Sequence, residues 1–300
     1  MIVQHIHVNG VRFGVVTSGE VGQRRGTLVL LHGFTGSASG WSGLLAELAR
    51  TGWRIIALDM LGHGQSDAPA DPARYTMEHC QQDIIAVLRE LSVNEGEAIL
   101  LGYSMGGRIA LYCAFSGFFR ALILESASPG LADAAEREQR RSSDLALAES
   151  IEREGIEAFV ERWENLPLFA TQHNLPAEQR AALHAQRLNN RPAGLANSLR
   201  GVGTGEQPAL HHRLPELTIP VLLLAGELDA KFCAIARQMA QALPHAQLSI
   251  VPEAGHTIHL ERPAAFMFQT LNWIEQVTNS CRLPGGGVYY TRKCQGEMLW

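Results

Sequence analysis

Hydrophobic and polar residues alternate loosely over 2–8 and again over 11–17, which is the pattern of strands buried on one face. Asn9-Gly10 lies between the two segments, and an Asn-Gly pair in this position is the strongest short signal for a hairpin. The chain is therefore predicted to begin with two antiparallel strands.

The pattern then changes to continuous apolar runs that end in glycine or polar residues, with helical periodicity between them. The runs cover 27–31, 53–58, 98–101 and 121–124, and the helical patterns cover 41–50, 76–91 and 106–116. Continuous apolar runs suit strands buried on both faces of a parallel sheet. Strands alternating with helices predict a doubly wound α/β fold.

The alternation stops after Pro129-Gly130, and strand patterns return only at 221–225 and 247–251, before a last helix over 263–277. Between them the pattern is helical. Asp133 followed by Glu136 resembles a capping box, Gly155 interrupts the pattern, and Pro176 begins another helix that runs to about Leu188. Three glycines, Gly201, Gly203 and Gly205, predict a flexible return loop.

This organisation predicts an α/β core interrupted by a helical cap. The core takes 1–129 and 216–279, and the cap takes 130–215. Residues 280–300 contain three consecutive glycines and no periodic face, so we expect a disordered C-terminal extension.

The composition narrows the range of functions that this chain can have. Of 300 residues, 46% are hydrophobic and 18% are charged, which is enough for a large core. A net charge of −5 excludes an overall basic field for nucleic acid, and no apolar run approaches a membrane span, so we expect neither partner. The first residues lack a secretory pattern and the five cysteines form no C-x-x-C pair, so we expect a cytoplasmic protein. Monomer and homodimer both stay open.

Gly102-Tyr103-Ser104-Met105-Gly106 matches G-x-S-x-G between a buried strand and a helix, the context in which this motif presents a reactive serine. A serine needs a base and an orienting acid. Asp229 and His256 follow the next two strands in the order expected for this fold, and we favour them as acid and base. Glu227 and His259 are the alternatives.

Two further loops lie at the same sheet edge. His32-Gly33-Phe34 follows the first buried run, and the backbone N–H groups of Phe34 and Met105 are candidates for an oxyanion hole. We expect His32 to be structural. The glycine-rich loop 59–67 is interpreted as scaffold.

The HGF, GHGxSD, GYSMGG, GELD and GH motifs, in this order, resemble the α/β-hydrolase superfamily over about residues 1–278. A narrower resemblance covers the cap as well. The segments 102–108, 125–131, 136–144, 163–169 and 187–190 are similar to the 2-succinyl-6-hydroxy-2,4-cyclohexadiene-1-carboxylate synthase family of menaquinone biosynthesis. That family eliminates pyruvate from a cyclohexene that carries three carboxylates.

The resemblance implies a carbon–oxygen lyase without cofactor or metal, whose triad acts as a base and whose partner is a small polycarboxylate substrate. It also implies a set of substrate-binding residues, namely Tyr103, Arg108, Arg140, Trp163 and Arg187. The residues themselves agree in part, because guanidinium groups bind carboxylates in bidentate fashion. Arg137 and Arg141 share a helix face with Arg140 but are expected to be solvated. A serine hydrolase of carboxylated ester or C–C substrates, and a non-catalytic binding protein, are the rival interpretations.

Overall fold

The structure, a computed structural model, describes residues 1–19 and 25–280. Its strands form one mostly parallel sheet in the order β1-β2-β4-β3-β5-β6-β7-β8. The strands are β1 (Ile2–Val8), β2 (Val11–Ser18), β3 (Thr27–Leu31), β4 (Arg54–Leu58), β5 (Ala98–Tyr103), β6 (Phe119–Glu125), β7 (Val221–Gly226) and β8 (Ala246–Val251). The β1–β2 and β2–β4 pairs are antiparallel, and the other pairs are parallel. The predicted doubly wound α/β fold is confirmed.

The hairpin that joins β1 and β2 turns at Asn9 and Gly10, which have φ values of 51° and 76°. Positive φ at both central residues is what a tight hairpin turn requires, and Asn-Gly accepts it at low cost. The predicted hairpin is confirmed, with Val8 paired to Val11 across the turn.

Helices cover both faces of the sheet and build the cap. They are α1 (Ser42–Arg50), α2 (Met77–Glu90), α3 (Met105–Ala114), α4 (Ala134–Glu164), α5 (Ala177–Leu188), α6 (Pro192–Val202), α7 (Ala230–Ala242), α8 (Ile258–Glu261) and α9 (Pro263–Ser280). All five residues of β3 are buried, which explains the continuous apolar run seen in the sequence. Two apolar clusters, one on each face of the sheet, form the core.

The cap helices α4 to α6 lie between β6 and β7. Asp133 caps α4 by accepting a hydrogen bond from the Glu136 N–H at 2.9 Å, and Gly155 interrupts α4 with a φ of 85°. Both features agree with the sequence pattern. A third apolar cluster, which includes Ile151, Phe159 and Leu195, holds the cap helices together.

The predicted flexible loop of Gly201, Gly203 and Gly205 is wrong. Gly201 lies inside α6, and a Cβ there would come within 2.5 Å of the Tyr75 Cβ. Gly205 packs with similar closeness against the backbone of Arg141. The glycines are present because two chain segments approach closely, and not because the segment needs freedom.

The predicted C-terminal extension, apart from Ser280 at the end of α9, lies outside the described residues. Within the described part of the chain, no helix combines the length and hydrophobicity that crossing a membrane requires.

Candidate active site

Ser104 occupies a sharp turn between the end of β5 and the start of α3, with φ of 51° and ψ of −109°. This strained backbone lifts the side chain above the carboxyl edge of the sheet, at the positive end of α3. The flanking glycines are sterically required. A Cβ on Gly106 would overlap the Leu31 carbonyl, and one on Gly102 would overlap the Gly106 carbonyl.

The structure brings Ser104, His256 and Asp229 together. His256 Nε2 lies 3.0 Å from Ser104 Oγ, and His256 Nδ1 lies 2.7 Å from Asp229 Oδ2. Because a carboxylate only accepts, Nδ1 carries the proton and Nε2 is free to accept from the serine hydroxyl. Asp229 is fixed in turn, since its Oδ1 accepts from the Phe232 N–H at the start of α7. This is the geometry of an activated serine.

The two alternatives raised by the sequence lie elsewhere. Glu227 is exposed and accepts from the Glu253 N–H at 3.1 Å, which makes it part of a local turn. His259 is buried beside the triad, but its Nδ1 pairs with Glu125 Oε2 at 2.8 Å and its ring stacks on Trp41. His259 therefore supports the floor of the site, and its Nδ1 is already engaged.

Phe34 and Met105 place two backbone N–H groups near the serine turn. Met105 is the first residue of α3, where no intrahelical acceptor exists for its N–H. The Phe34 N–H shares a peptide with the Gly33 carbonyl, which accepts from the Gly36 N–H at 2.9 Å and from His32 Nδ1 at 2.8 Å, so this peptide has a fixed orientation. The Phe34 carbonyl, in the next peptide, accepts from His63 Nε2 at 2.5 Å. The loop 59–67 thus holds the candidate oxyanion hole, in agreement with its interpretation as scaffold.

The histidines behind this loop are neutral. Burial lowers the pKa of His63 to about 3 and that of His32 to about 4. His32 Nε2 accepts from the Met60 N–H at 3.0 Å, and its Nδ1 donates to the Gly33 carbonyl at 2.8 Å. His32 is therefore structural, as expected.

A cavity of about 480 Å³ opens above the triad, between the core and the cap. Among the described residues, four basic side chains line it and no aspartate or glutamate does. The basic residues are Arg108, Arg140, Arg187 and Lys231. In a chain with a net charge of −5, this concentration of positive charge indicates an anionic ligand.

Arg108 lies one turn after the serine on α3. Its Nη1 donates to the Val202 carbonyl at 2.8 Å and to Gln207 Oε1 at 3.2 Å, and both acceptors are uncharged. Burial, together with the nearby Arg140, lowers the pKa of Arg108 to about 10. This guanidinium is buried without an ion-pair partner among the described residues, which favours an anion in the cavity.

The two cap arginines carry their own counter-ions. Arg140 Nε donates to Asp144 Oδ1 at 2.8 Å, and Arg187 Nη1 donates to Glu164 Oε1 at 2.9 Å. Arg137 and Arg141 do not line the cavity. Arg137 bonds to the Leu131 and Ala132 carbonyls, whereas Arg141 pairs with Glu138 and Glu206.

Trp163 forms a wall of the cavity between Phe34 and Phe169, with ring centroids at 5.3 and 5.4 Å. Four polar atoms of cavity-lining residues are buried and have no hydrogen-bond partner among the described residues: Trp41 Nε1, Trp163 Nε1, Arg187 Nε and Ser126 Oγ. Buried polar groups are normally paired, so these four atoms indicate where a polar ligand completes the site.

A chain of buried hydrogen bonds joins the cap to the triad loops. Tyr103 Oη lies 2.7 Å from Thr257 Oγ1, and Gln172 Nε2 donates to the same oxygen at 2.8 Å. Arg187 Nη2 donates to Gln172 Oε1 at 2.8 Å. Tyr103 and Thr257 are the chain neighbours of Ser104 and His256, so the chain couples cap position to triad geometry.

Sequence reasoning identified every cavity arginine but missed Lys231, Ser126 and Gln172. Lys231 follows the predicted acid by two residues, and Ser126 directly follows a buried strand, so position at the sheet edge was an available signal for both. Gln172 had no such signal in the sequence, because it lies in a cap segment without a strand pattern or a motif. In the described part of the chain, no group of three or more His, Cys, Asp or Glu side chains is placed to hold a metal ion.

The family model described as alpha/beta hydrolase fold matches residues 26–263. A Bacillus subtilis (strain 168) protein provisionally named 2-succinyl-6-hydroxy-2,4-cyclohexadiene-1-carboxylate synthase is 44% identical over 86% of this chain and 93% of its own length. A Serratia proteamaculans (strain 568) protein with the same synthase name is 37% identical over 82% of this chain and 92% of its own.

Among solved structures, MenH from S. aureus superimposes with a TM-score of 0.83 at 35% identity. The match covers 87% of this chain and 98% of that chain. Both the broad and the narrow resemblance carried by the motifs are confirmed by these matches.

Proposed function

The chain belongs to the α/β-hydrolase fold family, and we propose that it is a lyase of menaquinone biosynthesis. The relatives that support this proposal are named 2-succinyl-6-hydroxy-2,4-cyclohexadiene-1-carboxylate synthase, and the proposed activity is the one in that name. The reaction eliminates pyruvate from 5-enolpyruvoyl-6-hydroxy-2-succinyl-cyclohex-3-ene-1-carboxylate. The observation that carries the proposal is the cavity above the triad, which has four basic side chains and no acidic one among its described residues.

The reaction begins with loss of the ring proton at C2, next to the succinyl ketone. Ser104, whose hydroxyl proton passes to His256 Nε2, takes this proton. The C2–H electrons form the C2–C3 double bond, the C3–C4 double bond moves to C4–C5, and the C5–oxygen bond breaks. Enolpyruvate leaves and becomes pyruvate on protonation, so the ring keeps a 2,4-diene and no water is consumed.

Negative charge develops on the succinyl ketone oxygen as the proton leaves. The N–H groups of Phe34 and Met105 are in position to stabilise it, in the way that other members of this fold stabilise a tetrahedral oxyanion. Arg108, Arg140 and Arg187 bind the substrate carboxylates, and the wall of Trp163 and Tyr103 confines the ring. Confinement matters because an elimination has to exclude competing attack by water.

The proposal is tested by adding the enolpyruvyl substrate and following pyruvate with lactate dehydrogenase and NADH. The rival function, a serine hydrolase, uses the same triad with Ser104 as a covalent nucleophile. Rapid-quench mass spectrometry of the intact protein separates the two. We expect pyruvate release without an adduct on Ser104. An acyl-enzyme during turnover, or turnover of nitrophenyl esters in place of pyruvate release, would establish the hydrolase.

A further inference from the structure

Charge compensation distinguishes the four basic residues of the cavity. Arg140 and Arg187 each pair with a carboxylate of the cap. Arg108 bonds to uncharged acceptors. Lys231 has no hydrogen bond or ion pair among the described residues, and its ammonium lies 5.9 Å from the centre of the Phe232 ring. The uncompensated positive charge of the cavity therefore comes from two residues of the core.

Lys231 lies in the first turn of α7, which starts at Ala230. A cation at this end of a helix opposes the helix dipole and lowers stability, so the position favours the opposite charge. Lys231 and Ile235, one turn apart, both line the cavity, and Phe232 between them packs its ring on His256 at 4.6 Å. This face of α7 therefore closes the cavity beside the triad histidine.

We propose that Lys231 is a substrate-specificity residue, which binds one carboxylate of the substrate at the triad side of the cavity mouth. A residue that breaks the local rule for helix stability while facing a ligand site is expected to owe its place to the ligand. A carboxylate between Lys231 and the α7 N-terminus gains from both positive charges. The inference rests on the proposed function and adds a residue of α7 to its set of substrate-binding residues.

The first test compares Lys231→Met with Arg237→Met. Both changes remove one exposed positive charge from α7, but Arg237 does not line the cavity. Lys231→Met should lower kcat/KM for pyruvate release about tenfold, the lower end for a charge-assisted contact, mainly through KM. Lys231→Arg should restore part of the loss. Arg237→Met should match wild type, and Lys231→Met should melt no lower than wild type because the charge opposes the helix dipole.

The second test is possible because the sequence contains two lysines. Lys231 and Lys293 are the two lysines among the 25 basic residues, so an amine-acetylating reagent and peptide mass spectrometry report Lys231 with an internal reference. Two probes are added separately: 2-succinylbenzoate, which has the succinyl and ring carboxylates, and pyruvate, which has that of the leaving group. A bound probe at ten times its dissociation constant should slow acetylation of Lys231 roughly tenfold relative to Lys293.

The outcomes separate this inference from the proposed function. Protection of Lys231 by either probe upholds the inference and identifies the carboxylate, even if wild type releases no pyruvate and the lyase proposal fails. If wild type releases pyruvate, while Lys231→Met retains full kcat/KM and neither probe protects Lys231, then Lys231 is a solvated surface residue and the inference is overturned.

Discussion

Replacing Arg108 and Arg187 by methionine should affect activity alike and stability differently. The pKa of Arg108 falls from 12.5 to about 10 on folding, a difference worth about 3 kcal/mol. Because the folded state disfavours the charged form, this cost is fully present at neutral pH and is relieved only as the pH rises past 10. Arg108→Met removes that cost but also loses hydrogen bonds to Val202 and Gln207, worth about 1 kcal/mol each. The free energy of unfolding should therefore stay within about 1 kcal/mol of wild type, or rise.

Arg187→Met removes one member of an ion pair and leaves the other, Glu164, in place. Glu164, whose side chain is 24% exposed, loses the guanidinium 2.9 Å away and keeps His184 Nδ1 at 2.9 Å, and Gln172 loses a donor. Removing one member of a largely buried pair costs about 3 kcal/mol. The free energy of unfolding should fall by about that amount.

Urea unfolding followed by circular dichroism gives the stabilities, and the pyruvate assay gives kcat/KM. Each variant should lose about 10- to 150-fold in kcat/KM, because each removes a charge-assisted contact to the substrate. Arg137→Met, outside the cavity, is the control and should change kcat/KM little. If Arg108→Met loses 3 kcal/mol or more of stability, its guanidinium is a structural element and the reasoning from its pKa is refuted.

Four other outcomes are expected. Ser104→Ala should lower turnover by several orders of magnitude without unfolding the protein, as should changes in its two triad partners; wild-type activity would falsify the triad. Because burial lowers the pKa of His32 and His63, both resist protonation when folded, so the free energy of unfolding should begin to fall near pH 6.5, and the contribution of this pair should approach about 2.7 kcal/mol per pH unit between about pH 5.5 and 4. His63→Gln should halve this slope, and an unchanged slope would contradict the assignment. Ser126→Ala should raise unfolding free energy by about 1 kcal/mol, through loss of an unpaired buried hydroxyl, while lowering kcat/KM; a fall in both would indicate a structural role. Deleting residues 281–300 should leave kcat/KM and Tm nearly unchanged, and a loss of several degrees would show that the segment packs on the body.

The strands and the serine turn could be predicted because their signals are local. A continuous apolar run such as 27–31 has few alternatives to a buried strand, and Gly106 is required wherever a helix starts this close to a neighbouring carbonyl. The order of Ser104, Asp229 and His256 along the chain then limited the triad to a few candidates. The choice between His256 and His259 needed the structure, since both follow β8 within a few residues.

The rest depended on contacts that no local pattern contains. Gly201 suggested flexibility in sequence, yet its place is set by Tyr75, which lies more than a hundred residues away. The spacing of Arg137, Arg140 and Arg141 could not show which of them faces the cavity, because Asp144 and Glu206 select their orientations. The sequence places Lys231 at the sheet edge, but only the three-dimensional contacts show that it has no counter-ion among the described residues.

The insertion of the cap between β6 and β7 has a consequence for synthesis of the protein on the ribosome. These strands are neighbours in the sheet, yet Val221 follows Glu125 by 96 residues. At roughly 5–20 residues per second, the apolar edge of β6 waits for its partner for roughly 5–20 s while the cap emerges. An unpaired apolar strand edge is a template for aggregation. The length of the cap therefore sets how long this edge of β6 stays without its neighbouring strand during synthesis.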